Sequence, residues 1–324
     1  MERNELHKFL ESCLHEIDLA DLGTKLPEES TFRRGKVRDI FDLRDHLIIT
    51  TTDRISAFDR VLTTIPCKGE ILNRISLFWF ESTRDLIRNH LVDSVSARSV
   101  LVRKCEQVPI EVVVRGYLTG SAWRDYQAGK NVSGIELKPG LRYNEQFEQP
   151  LITPSTKEES GIHDVAISRQ EIISRGIVKA DLWEEIEDKA LALFRRGTQI
   201  AQRQGLILVD TKYEFGLDDG QLALVDEIHT PDSSRYWYAS SYQELYSAGE
   251  RQAELDKEYL RHWLMERGFK GDGLPPEIPD DVRVEVAWKY AQAFERITGQ
   301  SFAPEGLSVH EEVSRIVESI GKLV

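Results

Sequence analysis

Residues Leu206 to Trp237 constrain this chain more than any other stretch. Leu206-Ile207-Leu208-Val209 is a short apolar run of the kind that fills a buried strand. The residues after it alternate, setting Asp210, Lys212 and Glu214 on one face and Thr211, Tyr213 and Phe215 on the other. Asp218-Asp219-Gly220 is a turn signal, and Leu222-Ala223-Leu224-Val225 reads as a returning strand that runs into Asp226-Glu227, so an antiparallel hairpin is expected. With a three-residue loop, Leu217 pairs with Gln221 and Asp226 falls opposite Lys212, diagonal to Glu214. Three carboxylates and one ammonium then share a surface. Such a group is costly unless something positive completes it, because close like charges raise one another's pKa. Oxygen donors without nearby Cys or His suit Mg²⁺, which takes one or two carboxylates and fills its remaining positions with water and nucleotide phosphate. The competing interpretation is a solvated hairpin with an ordinary charged face. The following DEIHTPDSSRYW weighs against it, because it adds a second acidic pair, a Thr-Pro-Asp turn and Arg235 directly after a core strand.

Composition narrows the class of partner. The chain has 324 residues, enough for a sizeable core and for two closely associated domains; with 40% hydrophobic and 30% charged residues it is globular rather than disordered or fibrous. A formal charge of -13 argues against a general nucleic-acid or anionic-membrane binder and leaves room only for local basic patches that take small phosphorylated ligands. Cys13, Cys67 and Cys105 are odd in number and far apart, which fits neither a disulfide framework nor a zinc pattern and points to a reducing compartment. The acidic start MERNELHKFLESCLHEIDLADLG has no secretory or import character, and no window approaches 18 apolar residues. A soluble cytoplasmic protein is expected.

Taken in order, Glu5 to Leu22 has helical spacing, with Leu6, Phe9, Leu10, Cys13, Leu14 and Ile17 as an apolar stripe. Thr31 to Leu43 alternates like a strand punctuated by Gly35, where backbone N–H groups can approach a phosphate and Lys36 and Arg38 add positive charge; an exposed basic hairpin is the alternative. TTDRISAFDR follows the apolar strand Leu47-Ile48-Ile49-Thr50 and is either a functional loop or a salt-bridged turn. Gly69 to Leu91 reads as a buried helix. The strand Pro109 to Arg115, continuing through Gly120-Ser121, can bind a phosphate or carboxylate through Arg115 and Ser121, or Arg115 can pair with a buried carboxylate. Gly134 to Asp164 reads as loop and short strands, with hydroxyls and an ammonium in Thr153-Pro154-Ser155-Thr156-Lys157 that can face a nucleotide, and with His163-Asp164 as a loop hydrogen bond. Lys179 to Gly205 is the clearest amphipathic helix, and Glu250–Arg267, Val282–Thr298 and Ser308–Leu323 read as further helices.

GKVRDIFDL, TTDRISAFD, KGEILNRIS, VVVRGYLTGSAW, the region from GIELK to STKEESGIHD, LVDTKYEFG and DEIHTPDSSRYW occur here in the order found in SAICAR synthetases, and over roughly residues 33 to 238 the chain resembles that family. The C-terminal helices are similar to those of its longer members. The resemblance implies ATP-dependent ligation of the carboxylate of carboxyaminoimidazole ribotide (CAIR) to the amine of L-aspartate, giving SAICAR, ADP and phosphate. The fold it implies is α+β and related to ATP-grasp and protein-kinase nucleotide sites, with an ATP-covering β-rich domain over residues 1–112 and a substrate- and metal-binding α+β domain with C-terminal helices over 113–324.

By the same resemblance, Lys36, Val37 and Arg38 cover the phosphates and Lys157 and Lys212 contact the nucleotide. Glu214 and Asp226 bind Mg²⁺, Arg115, Ser121, Arg235 and Asp210 take CAIR, and Asp59 is a further match to that site. Lys212 and Asp210 are the residues expected at the chemistry, with Asp210 and His229 as candidates to deprotonate the amine and a structural part favoured for His229. The partners are small molecules, and the extra helices suggest a monomer. Another carboxylate–amine ligase would differ at Arg115, Ser121 and Arg235; a kinase-like transferase lacks its HRD signature here; a non-enzymatic nucleotide binder has no need of a complete acidic pair beside two lysines.

Overall fold

The computed structural model describes residues 1–18, 30–58, 60–157, 165–255 and 258–323. In chain order the strands are β1 (Thr31–Arg34), β2 (Arg38–Asp42), β3 (His46–Thr51), β4 (Arg54–Ala57), β5 (Arg60–Thr64), β6 (Arg88–Asn89), β7 (Leu91–Ser94), β8 (Ser99–Arg103), β9 (Glu106–Tyr117), β10 (Gln146–Thr156), β11 (Leu206–Asp218), β12 (Gln221–Val225) and β13 (Ser234–Tyr238). The helices are α1 (Arg3–Leu6), α2 (Lys68–Thr83), α3 (Gly120–Gln127), α4 (Arg169–Ser174), α5 (Ala180–Arg203), α6 (Ala239–Ala248), α7 (Glu258–Glu266), α8 (Asp280–Thr298) and α9 (Val309–Gly321). No helix among the described residues is long and apolar enough to cross a membrane.

Two compact units divide the chain. The first comprises Met1–Phe78, His90–Lys104 and Asp256–Val324, and the second Trp79–Asn89 and Cys105–Leu255. The expected single boundary between residues 112 and 113 falls inside β9, all of which belongs to the second unit. A strand bonded to both neighbours cannot be a linker, since cutting it would strand its backbone donors and acceptors.

In the first unit an antiparallel sheet runs β1-β2-β3-β8-β7, with β4 and β5 as a separate hairpin. α9 lays Val313, Ile316 and Ile320 against Phe41, Ile48 and Leu101 of that sheet, and Leu14 and Ile17 complete the cluster. The helix starts cleanly because Ser308 accepts from the Glu311 backbone while the Glu311 carboxylate reaches back, a reciprocal cap. The expected helix from Glu5 to Leu22 does not form: α1 ends at Leu6, a short 3₁₀ turn follows, and residues 13–18 are irregular, while 19–22 lie outside the described residues. Buried carboxylates take the backbone donors a helix would use, with Leu14 N donating to Asp53 Oδ2 at 2.7 Å and Ile17 N to Asp39 Oδ2 at 2.8 Å. The apolar stripe reaches the core as an irregular segment instead.

The second unit is built on β11. Its sheet runs β10-β9-β11-β12-β6, and β13 pairs with the N-terminal half of β11 while β12 pairs with the C-terminal half. One face is covered by α5, which buries Trp183, Ile186, Ala190, Leu193 and Phe194. Gly116 on β9 lets the Phe194 ring approach, since a Cβ there would lie 3.3 Å from it. β10 is a single strand of 11 residues where loop and short strands were expected. Its Pro150 and Pro154 are tolerated because it pairs with β9 alone among the named strands and sits at the sheet edge. α6, between β13 and Gly249, is a helix that the spacing did not indicate.

The β11–β12 hairpin is confirmed, and its register is corrected. Asp218 pairs with Gln221 and Glu214 with Val225, so the loop is the two residues Asp219 and Gly220, at φ 51 and 75. Those left-handed values match the turn whose twist suits a tight hairpin, and Asp-Gly is a favoured pair for it. Asp226 therefore does not sit opposite Lys212. It follows directly after Glu214's partner, at φ 68, where the strand has ended.

Candidate functional site

Across the second unit's sheet, β9 and β11 align so that Asp210 faces Arg115, Lys212 faces Val113 and Glu214 faces Glu111. The period of two puts all three pairs on one face, opposite the side where Tyr213 meets His229. Two charged groupings result, centred on Glu214 and Asp210, about 14 Å apart along β11 at a rise of about 3.4 Å per residue, with Lys212 between them.

The first is a ladder of alternating charge. Lys212 Nζ donates to Glu111 Oε1 and to Glu214 Oε1, the latter at 2.9 Å. Lys157, just past the end of β10, donates to the other Glu214 oxygen at 2.5 Å and to Gln107 Oε1 at 3.2 Å. Burial alone would raise the Glu214 carboxyl, but the Lys212 and Lys157 ammonium groups outweigh it and hold the group at about 2. Burial likewise opposes the Lys212 charge, and the Glu214 and Glu111 carboxylates reverse that, raising Lys212 above the usual lysine range. Both members are fully ionised at neutral pH.

The second grouping holds two arginines on one carboxylate. Arg115 donates to Thr153 Oγ1 at 2.8 Å, to Asp210 Oδ2 at 3.1 Å and to Ser121 Oγ at 3.1 Å. Arg235, brought alongside by β13, donates to Asp210 Oδ1 at 2.9 Å and also to Oδ2. Burial pushes the Asp210 carboxyl up, yet Arg235 and Arg115 together take it below the usual range. Two guanidinium groups meet on one carboxylate, with donors in fixed planes suited to phosphate or carboxylate. Gly120, opening α3 at φ +59, is part of this arrangement: a Cβ there would lie 2.2 Å from an Arg235 guanidinium nitrogen.

Lys36, Val37 and Arg38 lie in the first unit, at the turn from β1 into β2. The turn is stapled by Arg54, which donates to Lys36 O and Gly35 O, each at 3.0 Å, and to Asp39 Oδ1 at 2.8 Å; Thr52 Oγ1 holds Val37 O at 2.8 Å. Asp53 accepts from Gly69 N, Leu14 N and Arg98. The TTDR segment is thus the framework of the turn. Asp59 and His163-Asp164 lie outside the described residues. His229 is fully buried, 2.5 Å from the Tyr213 hydroxyl, edge-on to Trp79, and pushed down to about 3 by burial. It is a packed core group on the side of the sheet opposite the charged face. Asp210 is unsuited to take a proton, because both its oxygens accept from guanidinium groups and its proton affinity is reduced.

Glu111, Gln107, Thr153 and Gly120 complete these groupings. Sequence reasoning assigns no site to Glu111 or Gln107, while Thr153 and Gly120 lie in segments it offers to a nucleotide and to a phosphate or carboxylate. The usable signal was the alternation on β9, which puts Glu111 and Arg115 on one face.

Among the described residues no three or more His, Cys, Asp or Glu side chains gather as a protein-only metal cage. Glu214 is ionised and flanked by two ammonium groups, and Asp226 follows directly after its cross-strand partner Val225.

The SAICAR synthetase family model matches residues 31–275. A phosphoribosylaminoimidazole-succinocarboxamide synthase of Bacteroides thetaiotaomicron is 45% identical over 303 residues, covering 92% of this chain and 95% of its own length. This chain belongs to the SAICAR synthetase family. The corresponding synthase of Legionella pneumophila is 47% identical over 287 residues, covering 86% of this chain and 91% of its own. Among solved structures, the SAICAR synthase of Saccharomyces cerevisiae complexed with SAICAR matches with a TM-score of 0.76 at 35% identity, over 87% of this chain and 99% of that one. A SAICAR synthetase in complex with ADP matches at 0.66 and 26% identity, over 85% and 100%. These matches span both units of the chain, and the α+β fold expected from the sequence is that of SAICAR synthetases.

Proposed function

We propose that this chain carries out its family's reaction on the charged face of the second unit's sheet, with the nucleotide's phosphates at the Lys157–Lys212–Glu214 ladder and CAIR at the Arg115–Arg235 pair. The activity is that of a SAICAR synthetase: ATP-dependent ligation of CAIR to L-aspartate, giving SAICAR, ADP and phosphate in purine biosynthesis. The observation that carries the placement is the register, which sets a lysine–carboxylate ladder and a two-arginine anion site next to each other on one face.

An amine cannot displace oxide from a free carboxylate at a useful rate, so the carboxylate must first be given a leaving group. A CAIR carboxylate oxygen attacks the γ-phosphorus in line, its bond to the ADP oxygen breaks, and an acyl phosphate forms; the aspartate amine then attacks the acyl carbon and phosphate departs. Arg115 and Arg235 fix CAIR, with Asp210 holding both guanidinium planes and Ser121 and Thr153 orienting Arg115. Lys157 and Lys212 neutralise charge on the migrating phosphoryl group, and Lys36, Val37 and Arg38, at the first unit's β1–β2 turn, are the chain's match to the phosphate-contacting loop of its family. Glu214 and Asp226 would hold Mg²⁺, which supplies electrostatic stabilisation of the phosphoryl oxygens. Catalysis is mostly positioning and electrostatics, without a protein nucleophile.

The test is an ADP-release assay that omits CAIR, L-aspartate or Mg²⁺ in turn, run on the parent and on Glu214→Ala and Asp226→Ala. Release should need all three components and vanish in both variants. Near-normal turnover in either variant would refute the metal assignment, and release independent of aspartate would refute the ligation.

A further inference from the structure

Residues 276–324 lie beyond the stretch that the SAICAR synthetase family model matches, and α9 in them docks on the first unit's sheet with a carboxylate among its buried apolar side chains. That carboxylate, Glu312, is 1% exposed. Among the described residues only the Ser96 and Ser99 hydroxyls donate to it, both to Oε1. A buried carboxylate held by neutral donors is a poor source of docking energy, because desolvation opposes it and an apolar side chain would pack at less cost. What it adds is direction: two hydroxyls on one oxygen fix where the turn between β7 and β8 lies against the helix. Glu305, ahead of α9, grips the same turn through Ala97 N at 3.1 Å.

An unbroken run of hydrogen bonds, all within the first unit, joins that turn to the Lys36–Arg38 turn. Ser96 Oγ accepts from Arg98 N at 3.1 Å and from Ser99 N at 3.0 Å. Arg98 then reaches the TTDR segment twice: its carbonyl accepts from Thr51 N at 2.9 Å, and its guanidinium donates to Asp53 Oδ2 at 2.7 Å. Burial opposes the Arg98 charge, and Asp53, joined by Glu312 and Glu70, more than reverses that. From the same segment, Thr52 and Arg54 hold Val37 O, Lys36 O and Gly35 O, the bonds that shape the turn. Glu312, Ser96, Arg98, Asp53, Thr52 and Arg54 are all buried. With no solvent-exposed joint to absorb it, a displacement at the helix end is passed on to the turn.

We propose that Glu312 is a positioning residue for the phosphate-contacting turn: through Ser96, Arg98 and the TTDR segment, the C-terminal helix sets the orientation of Gly35, Lys36 and Val37 toward the nucleotide. Glu312 itself touches no substrate. This role rests on the reading of Lys36, Val37 and Arg38 as phosphate contacts given above.

Steady-state kinetics and ADP calorimetry in excess MgCl₂, on the full-length protein, test it. Glu312→Ala should raise the KM for ATP and weaken ADP binding, each by about fivefold, the effect of one hydrogen bond lost from the run, while the KM for CAIR stays as in the parent. Loss of folded protein alone would lower kcat and the number of ADP sites and leave both KM values and the ADP affinity where they were, so the split between substrates separates positioning from stability. Glu312→Gln keeps an acceptor for both serines and should recover most of the loss. Ser96→Ala cuts the run at its next joint, should reproduce the effect on ATP, and decides the question if Glu312→Ala does not fold. A parent-like KM for ATP in both Ala variants, or KM values for ATP and CAIR that rise together, overturns the role of Glu312. If Lys36→Ala and Arg38→Ala both bind ADP as tightly as the parent, the turn is not a phosphate contact, and that reading fails and takes the Glu312 proposal with it.

Discussion

Replacing Glu214 by Gln should cost stability in a way that disappears in acid. The carboxyl sits at about 2 against an ordinary value of 4.5, a difference that linkage converts to about 3 kcal/mol at neutral pH. The group is only 8% exposed, so solvent screening takes little from that figure. The sign follows from the depressed value. Above 4.5 the carboxylate is charged in both folded and unfolded chains and its full contribution is present; as pH falls through about 2 the folded state takes up the proton too and the contribution is gone. Glu214→Gln keeps the shape and an acceptor oxygen while removing the charge, leaving Lys212 with Glu111 and Lys157 with Gln107. Urea unfolding of parent and variant, followed by tryptophan fluorescence, is the assay. Trp79, Trp123, Trp183 and Trp237 all belong to the second unit, so the signal reports mainly on it. The difference between the two proteins should be about 3 kcal/mol near neutrality and shrink steadily as pH is lowered from 4.5 toward 2. A difference that stays constant over that range, or a variant as stable as the parent at neutral pH, would show that the two ammonium groups do not hold Glu214 as the geometry indicates.

Gly120→Ala should raise the KM for CAIR by about tenfold or more while leaving ADP affinity unchanged, because its Cβ would lie 2.2 Å from the Arg235 guanidinium in a backbone conformation that already disfavours a side chain. Steady-state kinetics beside ADP calorimetry would decide it, and an unaltered KM for CAIR would remove Arg235 from the substrate site. His229→Gln should cost about 1–3 kcal/mol by stranding the Tyr213 hydroxyl, without altering the shape of the pH–rate profile. Because burial holds the imidazole at about 3 against 6.5, the unfolded chain binds a proton between those values that the folded chain refuses. Stability from this group therefore falls as pH drops through that window, and the fall should be absent in the variant; a shifted pH–rate profile would restore His229 as a candidate base.

Local pattern was enough for the long regular elements. α5 was legible because its apolar side repeats at helical period over many turns and ends at Gly205, and the β11–β12 hairpin because alternation and an Asp-Gly turn coincide. The hairpin's register was not legible. A loop of two residues or of three satisfies the same apolar pattern, and only the left-handed values at Asp219 and Gly220 distinguish them. The N-terminal segment misled for a related reason: Leu14 and Ile17 sit at helical spacing, yet their backbone donors are claimed by Asp53 and Asp39, residues that only the tertiary fold brings near.

The sequence by itself determined which family the chain joins, the α+β class, and Asp210, Lys212 and Glu214 as one charged face, because period-two alternation fixes which side chains share a face of one strand. Only the tertiary structure decided which face of β9 meets which face of β11. That register pairs Glu111 with Glu214, and the pairing of β13 with β11 brings Arg235 beside Asp210. Pairing between strands some hundred residues apart depends on how both pack against α5 and on where each bulges, and neither is written in the local spacing of either strand.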